Sequence, residues 1–139
     1  MGYKDCPNCN GKMANHALMC RDCRQEDNIK SHPVREEISS EEIAWVAGIL
    51  EGEGCWTQTR NGWSIQVGMS DKDIIERLKS LTAVGHIYDQ KSRQESHKAM
   101  YTWHVFRQHH REWLTSKVWP WLGERRRARI KELWHDVDV

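Results

Sequence analysis

Ala44, Gly48 and Gly52 recur at every fourth position of an otherwise apolar segment, and this spacing constrains the fold more than any other feature of the chain. Residues four apart lie one above another on an α-helix, so one side of such a helix carries almost no side chain and another backbone can approach it closely. The helix is signalled independently by its flanks. Ser39 or Ser40 supplies an N-cap, Ser39-x-x-Glu42 fits a capping box, and Ile43, Val46, Ala47 and Leu50 follow at near-helical spacing. Those signals predict a helix over roughly 40–51. Two glycines inside it cost roughly 1 kcal/mol each relative to alanine, which close helix-to-helix packing would offset. Past the last turn, Gly52 and Gly54 bracket Glu53 with permissive backbone and present its carboxylate at the helix end. Glu51 and Glu53 either serve chemistry there or are solvated acids. A carboxylate at a helix C-terminus opposes the helix dipole, so stability alone does not account for the position.

A chain of 139 residues has room for one domain and a small appendage. It contains no apolar run of about 18 residues and no apolar signal region at its N-terminus, so an intracellular, cytoplasmic protein with no membrane span is expected. Net charge is +1, which excludes nothing, but the distribution is uneven. Between residues 107 and 131 stand Arg107, Arg111, Lys117, Arg125, Arg126, Arg127, Arg129 and Lys131 against Glu112 and Glu124. Such a run is either a phosphate-facing surface or a solvated helix face.

Cys6-Pro7-Asn8-Cys9 and Cys20-Arg21-Asp22-Cys23 form two C-x-x-C pairs, a pattern that points to tetrahedral Zn²⁺ held by four thiolates. Closed four-sulfur coordination suits a structural metal, with Gly11 allowing a knuckle-like turn. A disulfide framework is the alternative, disfavoured because nothing suggests secretion. His16 lies between the pairs and reads as a surface histidine. The segment has few apolar residues, so its folding energy would come from the metal. The expected organisation is a four-cysteine zinc module over 1–24, a polar linker over 25–38 containing Pro33, and the main domain over 39–139. The module resembles small zinc ribbons appended to DNA-processing proteins, which makes Lys4, Lys12, Arg21, Arg24 and Lys30 candidate DNA contacts. Six acids balance six bases in the first 37 residues, so a purely structural or protein-contacting role stays open.

Beyond the glycine-bearing helix, 55–60 and 63–69 alternate as strands around the hairpin signal Asn61-Gly62. Trp63, Ile65, Val67 and Met69 share an inward face and Ser64, Gln66 and Gly68 the opposite one. A second helix over about 71–82 carries Ile74, Ile75, Leu78 and Leu81. Strands over 86–90 and 100–107 follow, joined by a polar loop at 91–98, with Tyr101, Trp103 and Val105 inward and Thr102 and His104 outward. Tyr88 and Gln90 fall on the same outer face as Gln66. Helices from about His109 and from about Gly123 to Trp134 are separated by Pro120. His109 and His110 read as surface residues, the tryptophans as core, and Cys55 as a small buried or sheet residue. The expected fold is α+β, with a four-stranded antiparallel sheet whose polar face, through Thr57, Thr59, Ser64, Gln66, Tyr88 and Gln90, is either simply wet or reads bases in a groove.

The run Trp45-Val46-Ala47-Gly48-Ile49-Leu50-Glu51-Gly52-Glu53-Gly54 resembles the LAGLIDADG motif of homing endonucleases, with Ala47 and Gly48 at the motif's Ala-Gly, Glu51 and Glu53 at its acidic positions and Gly54 at its final glycine. The resemblance extends over about 40–134, through the order α-β-β-α-β-β-α and through Pro120-Trp121-Leu122 followed by Arg125-Arg126. It implies a site-specific double-strand DNA endonuclease in which Glu53 holds catalytic Mg²⁺, Arg125 assists at the phosphate and Arg126 contacts DNA. Met69 departs from the family, which often places Gln or Lys there. One motif per chain implies a homodimer joined through Ala44, Ala47, Gly48 and Gly52 on a pseudo-palindromic duplex. A non-catalytic DNA-binding regulator and an RNA maturase are the alternatives on the same fold.

Overall fold

The structure is a computed structural model that describes residues 2–14, 17, 19–90, 99–135 and 137; His16 and the expected loop at 91–98 lie outside them. The chain divides into two compact units, Met1–Val34 and Arg35–Val139.

In the first unit a short hairpin pairs β1 (Tyr3–Asp5) with β2 (Lys12–Ala14), and α1 (Arg21–Ser31) follows. The helix corrects the sequence reading, which made 25–38 a linker. Helix α1 buries none of its residues, so no apolar stripe announces it. What starts it is Cys20, whose Sγ accepts the Cys23 N–H at the N-cap. Met13 packs with Cys6 and Cys20 in the small core of this unit.

The second unit is α+β. Helix α2 (Ser40–Glu53) is followed by β3 (Gly54–Thr59) and β4 (Gly62–Met69), then α3 (Lys72–Thr82), β5 (His86–Gln90), β6 (Met100–Val105), α4 (Gln108–Val118), a 3₁₀ turn (Trp119–Trp121) and α5 (Glu124–Leu133). The four strands form one antiparallel sheet in the order β3-β4-β6-β5. As the alternation predicts, Trp56, Trp63, Ile65, Val67, Trp103 and Val105 point to one side and are buried with Val46, Ala47, Leu50, Ile75, Leu78, Leu114, Val118 and Ile130 from the helices. Two buried indoles find acceptors: Trp56 Nε1 donates to Thr115 Oγ1 (3.1 Å) and Trp103 Nε1 to the Val84 carbonyl (2.9 Å). Core packing is thus the use of most tryptophans, though Trp121 is 53% exposed.

Several local expectations shift. The β3–β4 register pairs Thr59 with Gly62, so Arg60 and Asn61 make the turn and Gly62 opens the returning strand with φ of 117°, where a side chain would be strained. Helix α2 runs two residues beyond the predicted end, so Glu53 is its last residue and not part of a flexible bracket. Ser39 Oγ accepts the Glu42 N–H (3.1 Å) as the capping box predicts. The Glu42 carboxylate turns to Arg35, 2.6 Å away. His110, expected at the surface, is buried, while Cys55 is exposed on the outer face of the sheet. Among the described residues no helix is long and apolar enough to cross a membrane.

Candidate functional site

In the first unit the two C-x-x-C pairs converge. The Sγ atoms of Cys6, Cys9, Cys20 and Cys23 all lie within 4.8 Å of one another, close enough to share one metal ion such as zinc. The Cys6–Cys23 and Cys9–Cys20 separations are 3.8 and 3.5 Å. Tetrahedral sulfur ligands about 2.3 Å from zinc stand roughly 3.8 Å apart, so the spacing fits that ion. Backbone N–H groups are aimed at the sulfurs: Gly11 at Cys9 (3.4 Å), Cys20 at Cys6 (3.3 Å) and Cys23 at Cys20 (3.4 Å). The Cys20 amide stabilises the Cys6 thiolate and brings that thiol down to about 6. Cys23 is driven far upward by the thiols of Cys9 and Cys20. Without a cation, Cys9 and Cys23 resist ionising; a divalent metal would remove that opposition. All five cysteines of the chain are free thiols.

In the second unit the end of α2 meets the start of α5. The Glu51 carboxylate accepts the Gly123 N–H at the N-cap of α5 (3.1 Å), where an anion suits the helix dipole. Arg126 donates through Nε (3.2 Å) and an Nη (3.1 Å) to the Glu51 carbonyl, one of the acceptors that α2 leaves open at its C-terminus. Glu53 differs from Glu51: it is exposed, and its carboxylate makes no hydrogen bond or ion pair among the described residues. Gly54 ends the helix by close approach, since a Cβ there would stand 2.5 Å from the Leu50 carbonyl oxygen. Arg125, next to the pinned Arg126, is exposed. At the α2–α5 junction the neighbours of the fastened Glu51 and Arg126, Glu53 and Arg125, are thus both exposed.

The open face of α2 is where the spacing puts it. A Cβ on Gly48 or Gly52 would meet nothing within 4 Å, and Ala44 is half-buried. Ala47 departs from the expectation: it is wholly buried in the core of its own chain, because it falls on the stripe with Ile43, Val46 and Leu50. It has no surface to give an interface.

On the sheet, Thr57, Gln66 and Tyr88 stand on the outer face with partial or full exposure. Gln90 is paired with Met100 at the end of β5. Ser64 is a correction, being fully buried. Thr59 is occupied, its hydroxyl donating to the Gly62 carbonyl across the hairpin. The basic segment is likewise less available than its count suggests. Arg111 donates to the Trp63 and Phe106 carbonyls, Arg126 to Glu51, Arg127 to Trp119 and Arg129 to Trp56, so four guanidinium groups fasten backbone carbonyls. Sequence reading missed an aromatic group on the outer face: His86, Tyr88, His104 and Phe106, with ring centroids 5.5–6.4 Å apart along the cluster. The alternation in His86-x-Tyr88 and His104-x-Phe106 was the available signal. Compared with known proteins, the chain matches no family model and no curated sequence.

Proposed function

We propose that the chain is a LAGLIDADG-type homing endonuclease: a homodimer that cuts both strands of a pseudo-palindromic DNA site with Mg²⁺, and that carries a structural Zn²⁺ on Cys6, Cys9, Cys20 and Cys23. The observation that carries the reading is the different treatment of the two motif acids. Glu51 is consumed in fastening α5, whereas Glu53, two residues later, is exposed and has a carboxylate unpaired among the described residues, at the end of a helix whose glycine face is open.

One carboxylate per chain fits Mg²⁺ only as a partial site. That ion keeps several waters and takes one or two carboxylates together with phosphate oxygens, so a second copy supplying its own Glu53 completes the set. Bound there, the metal would neutralise phosphate charge and lower the pKa of an attacking water. Glu53 supplies the oxygen ligand, and its fixed place at the helix end sets where the scissile phosphate must lie. Arg125 offers a guanidinium to the charge that develops on that phosphate. Thr57, Gln66 and Tyr88 belong to the side of the sheet that faces the groove, with Gln90 closing β5 beside them, and Gln66 is suited to bidentate contact with adenine.

The test is cleavage of the DNA that flanks this gene's insertion point with the insert removed, in Mg²⁺ and in Ca²⁺, with the wild-type chain and Glu53→Gln. Specific double-strand cutting by the wild type alone supports the reading. Specific binding in Ca²⁺ without cutting in Mg²⁺ favours the non-catalytic DNA-binding protein, to which Met69 at the end of β4 already points.

A further inference from the structure

The outer-face aromatic cluster lies beside Arg111, a cation that no carboxylate contacts as an ion pair among the described residues. Tyr88 and Phe106 are 48% and 39% exposed, although both rings lie on a wet sheet face where polar residues suffice. His86 and Phe106 stack at 5.6 Å with 13° between their planes, and His104 tilts against Phe106 and Tyr88. Between this group and the β3–β4 hairpin a cleft opens, its lining including Thr59, Arg60, Tyr88, His104, Phe106 and Arg111.

Arg111 is held in place by the backbone. One Nη donates to the Trp63 carbonyl at 2.9 Å and the Phe106 carbonyl at 3.2 Å, and the guanidinium lies 4.8 Å over the Trp63 ring. Among the described residues no carboxylate pairs with it, and its Nε is buried with no partner. Burial works against this charge while the nearby Glu112 carboxylate supports it; the neighbouring His104 imidazole is lowered by burial and by the nearby His86. His104 Nε2 likewise has no partner among the described residues. A held guanidinium with no carboxylate in ion-pair contact among the described residues and exposed aromatic rings lining the same cleft are complementary to a nucleotide: anionic phosphate and flat π-face.

We propose that this cleft holds one unpaired nucleotide of a DNA strand, its base stacked on the Phe106 and Tyr88 rings and its phosphate on Arg111 and Arg60. The inference rests on the reading that the outer sheet face meets nucleic acid, and it adds that the face prefers a base out of the helical stack. Paired bases hide their faces from such a platform.

The probes are three fluorescein-labelled duplexes of one sequence: fully paired, carrying one unpaired adenine, and carrying one abasic bulge. Anisotropy titrations in Ca²⁺ use the full chain. The unpaired adenine should bind about tenfold tighter than either control, the size one stacked base supplies. Phe106→Ala and His86→Ala should remove that preference while leaving the paired duplex as it was, and Phe106→Trp should retain it; thermal melts confirm that each variant folds. Equal affinity for the three duplexes, or a preference that survives Phe106→Ala, overturns the unpaired-base site and leaves the wider DNA reading standing. Failure of every duplex to bind overturns both. Binding of the unpaired adenine alone keeps the site and overturns recognition of paired DNA.

Discussion

Replacing Gly48 by leucine separates what the α2 helix needs from what a second chain would need. Within the chain the change is favourable. Nothing lies within 4 Å of the Cβ position, so no overlap arises at the point of attachment, and the glycine sits inside the helix rather than at its end. Leucine is close to alanine in helix propensity, so the substitution should stabilise the fold by about 0.8 kcal/mol. Between two chains the sign reverses. If the Ala44, Gly48 and Gly52 faces of two copies pack together, a leucine on each adds bulk to a closed contact at about 1–3 kcal/mol per copy, or about 2–6 kcal/mol for a symmetric pair. That is a loss in dimer affinity between roughly 30-fold and 10⁴-fold. Sedimentation equilibrium gives the affinity, and thermal melts at two protein concentrations give the fold. The expected result is a Gly48→Leu chain that is monomeric where the wild type is dimeric, with a melting temperature that no longer depends on concentration. Wild-type dimer affinity in the variant would refute the helix-face interface. A variant that melts well below the wild-type monomer would refute the open face itself.

The two motif acids should part company in stability as well as in function. Glu51→Ala removes the acceptor for the Gly123 N–H and should lower stability by about 1 kcal/mol, whereas Glu53→Gln should stay within about 0.5 kcal/mol of wild type, both read from urea midpoints. Arg126→Met, which loses both donors to the Glu51 carbonyl, is expected to cost about 1.5–3 kcal/mol; an unchanged midpoint would show that α5 is held otherwise. Removal of the metal with a chelator should erase the dispersed amide resonances of Met1–Val34 and leave those of Arg35–Val139, with one zinc per chain measured beforehand by native mass spectrometry. The Arg35 guanidinium holds the Glu42 carboxyl below the usual carboxylate range. Its folded pKa thus lies below the unfolded one, so the pair stabilises the fold above the unfolded value and ceases to as pH falls through the folded value. Wild type should therefore lose its advantage over Glu42→Gln as pH falls from neutrality through the carboxylate range, and a constant difference between them would contradict the pairing.

Local signals sufficed where the physics is local. The four-residue recurrence of Ala44, Gly48 and Gly52 with the Ser39 cap defined α2, alternation assigned both faces of β4 and β6 save at Ser64, and the paired C-x-x-C spacing located the cysteine cluster. Each of these depends on geometry that a short stretch of chain imposes on itself. Helix α1 escaped detection because a helix that buries none of its residues has no apolar period to read. What only tertiary structure decided was the division of labour among like side chains. The resemblance singled out Glu53 and Arg125 by motif position, but only the docking of α5 on α2 shows which acid and which guanidinium are tied down: Glu51 and Arg126 are fastened and their neighbours stand in solvent. Ser64 and Ala47 were lost as surface residues for the same reason, since burial is set by what other elements place over a position. The cleft at Arg111 arises from residues of β3, β4, β5, β6 and α4 and their flanking turns, widely separated along the chain, and only the folding of the sheet and helix α4 brings that cation into one cleft with those rings.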